Sequence, residues 1–191
     1  MARHSRRRAK RLMVFGVGLL LLSGTRLGWL AGVQSRAASR QPGLYSVTEF
    51  IDGDTVVVDM NGVPEKLRFI GVDTPETHDP RKAVQCYGQN AAAFTKHLIG
   101  SNRVRLEADP LGTNRDRYGR LLRYIFLPNG QLVNAEIIKQ GYGFAYLSFP
   151  LTRADEFRSY QASAQASSLG LWASCHPILN DFGGYTSDNA S

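Results

Sequence analysis

From Leu44 to Val72 the chain is built of short apolar runs broken by polar turns. Three of them, Leu44–Ile51, Thr55–Met60 and Lys66–Val72, alternate and are rich enough in Val, Ile and Phe to read as β-strands. Asn61-Gly62 between the second and third is a hairpin signal, since both residues tolerate the positive φ of a tight turn. Asp73–Lys82, with Pro75 and Pro80, reads as loop. The period then becomes helical, with Ala91, Phe94, Leu98 and Ile99 on one face of a helix from Gln85 to Ile99 that Gly100 stops. Arg103–Ala108 and Leu121–Leu127 return to strand patterning, the second closed by Pro128-Asn129-Gly130. Asn134 is expected to cap a short helix through Gln140. Thr152-Arg153-Ala154-Asp155 resembles a capping box that opens a last helix to about Leu169. After Trp172 the chain turns polar and is expected to be ragged.

Five strands, one helix after the third and two more at the end predict an α+β fold that is mainly a β-barrel with three packed helices. The five-stranded oligonucleotide-binding (OB) barrel is one such design. It would occupy residues 44–173, leaving 1–40 as an N-terminal appendage and 174–191 as a polar tail. No internal repeat is visible.

The appendage changes how the charge is read. The formal net charge is +7, yet residues 1–40 hold nine Lys or Arg and no acid. Residues 41–191 hold 14 bases against 16 acids, formally −2, so the basic character belongs to the N-terminus. Within the domain, residues 66–123 carry 11 bases against 6 acids, a local excess of +5 that suits a focused phosphate site rather than a broad basic face. A basic start followed by the uncharged run Leu12–Thr25 reads as an export signal. The apolar pattern resumes at Leu27–Val33, so membrane association through residues 12–33 stands beside secretion. A disordered basic arm on a cytosolic protein is the third reading. The first two place the domain outside the cytoplasm, secreted, periplasmic or anchored. There, the pair Cys86 and Cys175 reads first as a disulfide, with two unpaired thiols as the alternative.

Charged residues crowd between Asp52 and Arg120. Asp54 and Asp73 can offer hard oxygen ligands to calcium, with the Thr74 carbonyl beside them where Pro75 turns the chain. Glu76 can take a proton from a water, and Arg68 and Arg120 can each hold a phosphate through a planar fork. Strict alternation would put Arg68 and Asp73 on opposite faces, so a shared site requires a bend near Gly71. Each part also has a plainer meaning. Asp52-Gly53-Asp54 can be turn chemistry, Asp73–Glu76 an acidic helix entry and Arg117–Arg123 a solvated face.

Three segments taken together weigh against coincidence. Ile51-Asp-Gly-Asp-Thr-Val56, Arg68 through Val72-Asp-Thr-Pro-Glu-Thr77, and Asp116-Arg-Tyr-Gly-Arg120 closely resemble, in order, the active-site motifs of the staphylococcal nuclease (thermonuclease) family. The likeness runs from about Val47 to Trp172. It implies an OB barrel and calcium-dependent cleavage of DNA and RNA at the 5′-oxygen–phosphorus bond. By motif position it implies Asp54, Asp73 and Thr74 as calcium ligands and Asp52 as a supporting carboxylate. Glu76 would orient or deprotonate the attacking water, with Arg68 and Arg120 as phosphate clamps. Arg117, in a place where the best-known member has lysine, and Tyr118 match substrate-contacting positions. Tyr146 matches a base-stacking tyrosine, but the next aromatic place falls on Ser148, with Phe149 one step later. DNA and RNA are the expected partners and a monomer the expected form. A non-catalytic nucleic-acid-binding barrel is the alternative, and a calcium-binding interaction module a third that leaves the arginines without a role.

Overall fold

The computed structural model describes residues 43–77, 83–180 and 184–190. The export segment and linker expected in residues 1–40 lie outside the described residues.

The strands are β1 (Tyr45–Phe50), β2 (Thr55–Met60), β3 (Val63–Phe69), β5 (Arg103–Glu107) and β6 (Leu121–Phe126). They close a barrel in the order β1-β2-β3-β6-β5. Every pairing is antiparallel except that of β3 with β6, where Leu67 faces Leu121 and Phe69 faces Arg123. The β2–β3 hairpin turns on Asn61 and Gly62, both at positive φ, and β3 starts at Val63 rather than Lys66. Pro64 sits at the beginning of the strand, opposite Asp59, where a proline is tolerated.

Three helices pack on the barrel: α1 (Gly88–Ile99), α2 (Val133–Lys139) and α3 (Ala154–Ala166). The α+β reading, a mainly β barrel with three packed helices, therefore holds. Helix α1 begins three residues later than expected because Tyr87 is left-handed, at φ 69°. Asn134 is no cap. Leu132 precedes α2, and the buried Asn134 side chain accepts from Ile125 N–H and donates to the Ile70 carbonyl, pinning β6 to the chain beyond β3. The expected capping box does not form either, for Arg153 precedes α3 and the Thr152 hydroxyl donates to Asp109 instead.

The core is apolar and fully closed around Val56, Val58, Leu67, Phe69, Leu106, Ile125, Ile137 and Phe157. At about 25 cal/mol per Å² of apolar area, this burial is the main stabilising force. Beyond the barrel, β4 (Val72–Asp73) pairs with β7 (Phe144–Ala145). The tail is not ragged where it is described. A one-turn helix α4 (Leu171–Ser174) leads to β8 (Ile178–Leu179), which pairs with β9 (Tyr185–Thr186). Cys86 and Cys175 form a disulfide with Cα atoms 5.9 Å apart.

Candidate active site

The site forms at one rim of the barrel, where β1 turns into β2 and β3 gives way to β4. The chain leaves β3 at Phe69 and bends at Gly71, whose φ is +71°. A side chain there would also meet the Phe157 ring at 2.6 Å, so only glycine allows the bend and the close packing together. The bend brings Arg68 and Asp73 to the same face. Pairing of β4 with β7 seats Asp73 opposite Phe144, and Tyr146 N–H donates to the Gly71 carbonyl.

Arg68 is the centre of the cluster. Its Nη1 donates to the Val72 carbonyl at 2.6 Å and pairs with Asp54 Oδ2 at 2.8 Å, and its Nη2 pairs with Asp73 Oδ1 at 2.7 Å. Burial works against the guanidinium charge, but Asp54 and Asp73 outweigh it and raise the Arg68 pKa. These contacts leave further donors among the five of an arginine for a phosphate oxygen. Asp54 is nearly buried and also accepts from Thr74 N–H at 2.8 Å and the Thr55 hydroxyl at 3.0 Å. Thr74 packs directly over Gly53, where an added Cβ would lie 2.8 Å from its side chain, and its buried hydroxyl has no partner.

Asp52 and Glu76 complete the acidic side. Asp52 Oδ1 accepts from Gly53 N–H at 2.8 Å and from the Thr77 hydroxyl at 3.2 Å. Burial, then the charge of Asp54 and contact with Glu76, pushes its carboxyl up to about 7. Glu76 Oε1 accepts from Thr77 N–H at 3.0 Å. Two acids thus pair with one arginine while Asp52 and Glu76 meet each other beside Asp54, and the ligand atoms all four offer are hard oxygens. Two carboxylates that already converge on a single cationic group fit a calcium ion, whose remaining ligands can be a backbone carbonyl and water. Among the described residues, the one tighter group of metal-capable side chains is Cys86, Cys175 and Asp188, and both of its sulfurs are used in the disulfide.

Arg120 comes from a separate turn. Parallel pairing of β3 with β6 lays that turn beside the strand that carries Arg68. Asp116 organises it, accepting from Arg120 Nε at 2.6 Å and from the N–H groups of Tyr118 and Arg120. Burial would raise the Asp116 carboxyl, but these bonds outweigh it and hold it below the usual range. Arg115 pairs with Glu65 at 2.9 Å and the buried Arg123 donates to Asn114 Oδ1 at 2.7 Å, which fastens the loop to β3 and β6. The sequence shows Asp116 within the third motif, and its spacing of four from Arg120 is the signal of this bracing role.

The outer rim is open. Tyr118 is 66% exposed, and the Arg117 guanidinium lies over its ring at 4.8 Å from the centroid. Tyr146 stands next to Phe149, ring centroids 5.9 Å apart, and Phe149 is exposed rather than packed under α3. The structure therefore ties Asp54, Arg68, Asp73 and Thr74 into one bonded group, with Asp52 and Glu76 in contact with each other beside it. Arg117, Tyr118, Arg120 and Tyr146 sit on neighbouring turns.

Comparison with known proteins points the same way. A family model described as staphylococcal nuclease homologue matches residues 66–174. The thermonuclease of Staphylococcus hyicus is 42% identical over 131 residues, covering 68% of this chain and 75% of that protein. Endonuclease YncB of Bacillus subtilis (strain 168) is 37% identical over 147 residues, 75% of this chain and 69% of its own. The thermonuclease of Staphylococcus intermedius is 40% identical over 132 residues.

Proposed function

The chain belongs to the family of staphylococcal nuclease homologues, and from that premise we propose that it is a calcium-dependent nuclease acting on DNA and RNA outside the cytoplasm. The observation that carries the reading is Arg68 held between Asp54 and Asp73, a phosphate-binding group and two metal-binding groups in direct contact. Asp54, Asp73 and the Thr74 carbonyl would hold the ion, which when bound supplies positive charge beside the phosphoryl oxygens and acidifies water.

The remaining work falls to the protein. Glu76 accepts a proton from the attacking water. The water oxygen bonds to phosphorus as the bond from phosphorus to the 5′-oxygen breaks. The departing 5′-oxygen takes a proton from solvent water and Glu76 returns its proton to solvent, leaving a 3′-phosphate and a 5′-hydroxyl. Arg68 and Arg120 donate to the phosphate oxygens as charge builds there, each such donor typically lowering the barrier by about 3–4 kcal/mol. Asp52 braces the turn that carries Asp54. Tyr118, Arg117 and Tyr146 hold the strand through stacking and charge. Stacking on an aromatic face accepts any base, so cleavage is expected to have little sequence preference.

An export signal or anchor in residues 1–40 and the Cys86–Cys175 bond together support an oxidising, extracytoplasmic setting. The full chain incubated with DNA or RNA should fragment both with calcium and neither with chelator. Binding without cleavage would return the non-catalytic barrel.

A further inference from the structure

The catalytic glutamate of the proposed mechanism stands on a loop, with neither helix nor strand at Thr74–Glu76 to hold it. Its backbone is held instead by Gln85. Glu76 N–H donates to Gln85 Oε1 at 2.7 Å, and Gln85 N–H donates to the Glu76 carbonyl at 2.9 Å, so the glutamate's own N–H and C=O are both bound to one residue. The other end of the Gln85 amide faces the C-terminal segment. Its Nε2 donates to the Thr186 hydroxyl at 3.1 Å and to the Ser187 carbonyl at 3.2 Å. Those partners fix the orientation of the amide, since a carbonyl needs a donor on that side and the Glu76 N–H needs an acceptor on this one.

The segment Gly184–Ala190 is itself strapped down along Val84–Cys86. Gln85 bridges Asn189 in antiparallel fashion. Cys86 N–H donates to the Asp188 carbonyl at 2.7 Å, and Ala190 N–H donates to the Val84 carbonyl at 2.8 Å. The buried Ser187 hydroxyl donates to the Cys86 carbonyl at 3.0 Å. The disulfide from Cys86 to Cys175 anchors the point from which the tail departs. The family match ends at residue 174, so the strap lies wholly beyond it.

We propose that Gln85, gripped by the C-terminal strap 184–190, is a positioning residue that aims Glu76 at the attacking water. This rests on the reading of Glu76 as the group that handles that water. The strap makes turnover depend on a part of the chain about a hundred residues away in sequence, with no contact to substrate needed. An error of about 1 Å in the placement of a reacting group can cost on the order of 100-fold in rate.

The test uses the full chain with calcium and a DNA substrate, comparing Glu76→Gln, Gln85→Met, the Glu76→Gln/Gln85→Met double variant and a chain ending at residue 183. Gln85→Met keeps the side-chain length and removes all three hydrogen bonds of the side-chain amide. Expected are a fall in kcat of roughly 10- to 100-fold for Gln85→Met and for the shortened chain, with KM within about twofold. The double variant should be no slower than Glu76→Gln alone, because a positioning group has nothing left to position. Thermal unfolding of Gln85→Met reports whether the fold is kept, so the result stands even if the shortened chain fails to fold. A large loss in Glu76→Gln with Gln85→Met at full kcat would overturn the strap and leave the glutamate's role intact. Full activity in Glu76→Gln would overturn that role itself. Additive losses in the double variant would make Gln85 a merely structural residue and also overturn the proposal.

Discussion

Asp52 and Asp109 are both buried aspartates, 9% and 5% exposed, and the protein treats them in opposite ways. Asp109 follows β5 and is surrounded by donors. It accepts from Tyr124 OH at 2.6 Å, from Thr152 N–H and hydroxyl at 2.7 and 2.8 Å, and from Leu111 N–H at 2.8 Å. Burial alone would raise its carboxyl, but those four bonds win and hold it below the usual range. Asp52 has burial without that compensation, with Asp54 and Glu76 beside it, and its carboxyl rises to about 7. A carboxylate ringed by donors stabilises the fold, whereas one ringed by carboxylates leaves negative charge for a cation to neutralise. The first brace also serves the second region. Asp109 holds Thr152 just ahead of α3, and α3 carries the Phe157 on which Gly71 rests.

The strongest way to sharpen this contrast is to alter the functional side without touching packing. Arg120→Lys keeps the charge but loses the planar fork and its bond geometry to Asp116. We expect kcat to fall about 100- to 1,000-fold, as for the loss of one transition-state donor, with melting temperature nearly unchanged. An Arg120→Lys protein with near-normal kcat on DNA would show that the second clamp is not needed.

Next come the two aspartates themselves. Asp109→Ala strands a buried tyrosine hydroxyl, a threonine hydroxyl and two N–H groups, and should cost about 2–4 kcal/mol of stability, read from denaturant unfolding at pH 7. Its folded pKa lies below its unfolded value, so its contribution is present above about pH 4 and lost as pH falls through the folded pKa. Asp52→Asn should act with the opposite sign in the calcium-free protein. A carboxyl with a raised folded pKa opposes folding increasingly as pH climbs from its unfolded value towards about 7. The asparagine keeps an oxygen for Gly53 N–H and the Thr77 hydroxyl, so its melting temperature at pH 8 in chelator should exceed that of the parent. Equal melting temperatures would mean the acidic crowd is not strained without its ion.

Much of this was legible in the chain. The barrel strands followed from alternation and the Asn61-Gly62 turn, because strand period and turn chemistry are local properties. The need for a bend at Gly71 was legible as well, since Arg68 and Asp73 could not otherwise share a face. What the pattern did not show were side chains whose partners are distant in sequence. Asn134 looked like a cap because capping residues are also the residues that satisfy buried backbone groups, and here it bonds Ile70 and Ile125 instead. Thr152 failed as a cap for the same reason, with Asp109 as the competing acceptor. The tail looked ragged because Ser187, Asp188 and Ala190 bond outward to Val84–Cys86, contacts distant in sequence that leave no periodic trace.

The smallest expected effect concerns the open rim, where function and packing should separate completely. Phe149 is 66% exposed and leans on Tyr146 at an interplanar angle of 56°, so it contributes little to the core and presents a face to solvent. It lies one step beyond the place where an aromatic was expected from Tyr146, and Ser148 between them cannot stack. If Phe149 takes over that role, Phe149→Ala loses one base contact, worth roughly 1–3 kcal/mol. At the lower edge of that range KM for a short single-stranded DNA should rise about fivefold, with kcat and melting temperature unchanged. Asp109→Ala should show the reverse, a lower melting temperature with KM intact. An unchanged KM in Phe149→Ala would leave Tyr146 and Tyr118 to hold the bases by themselves.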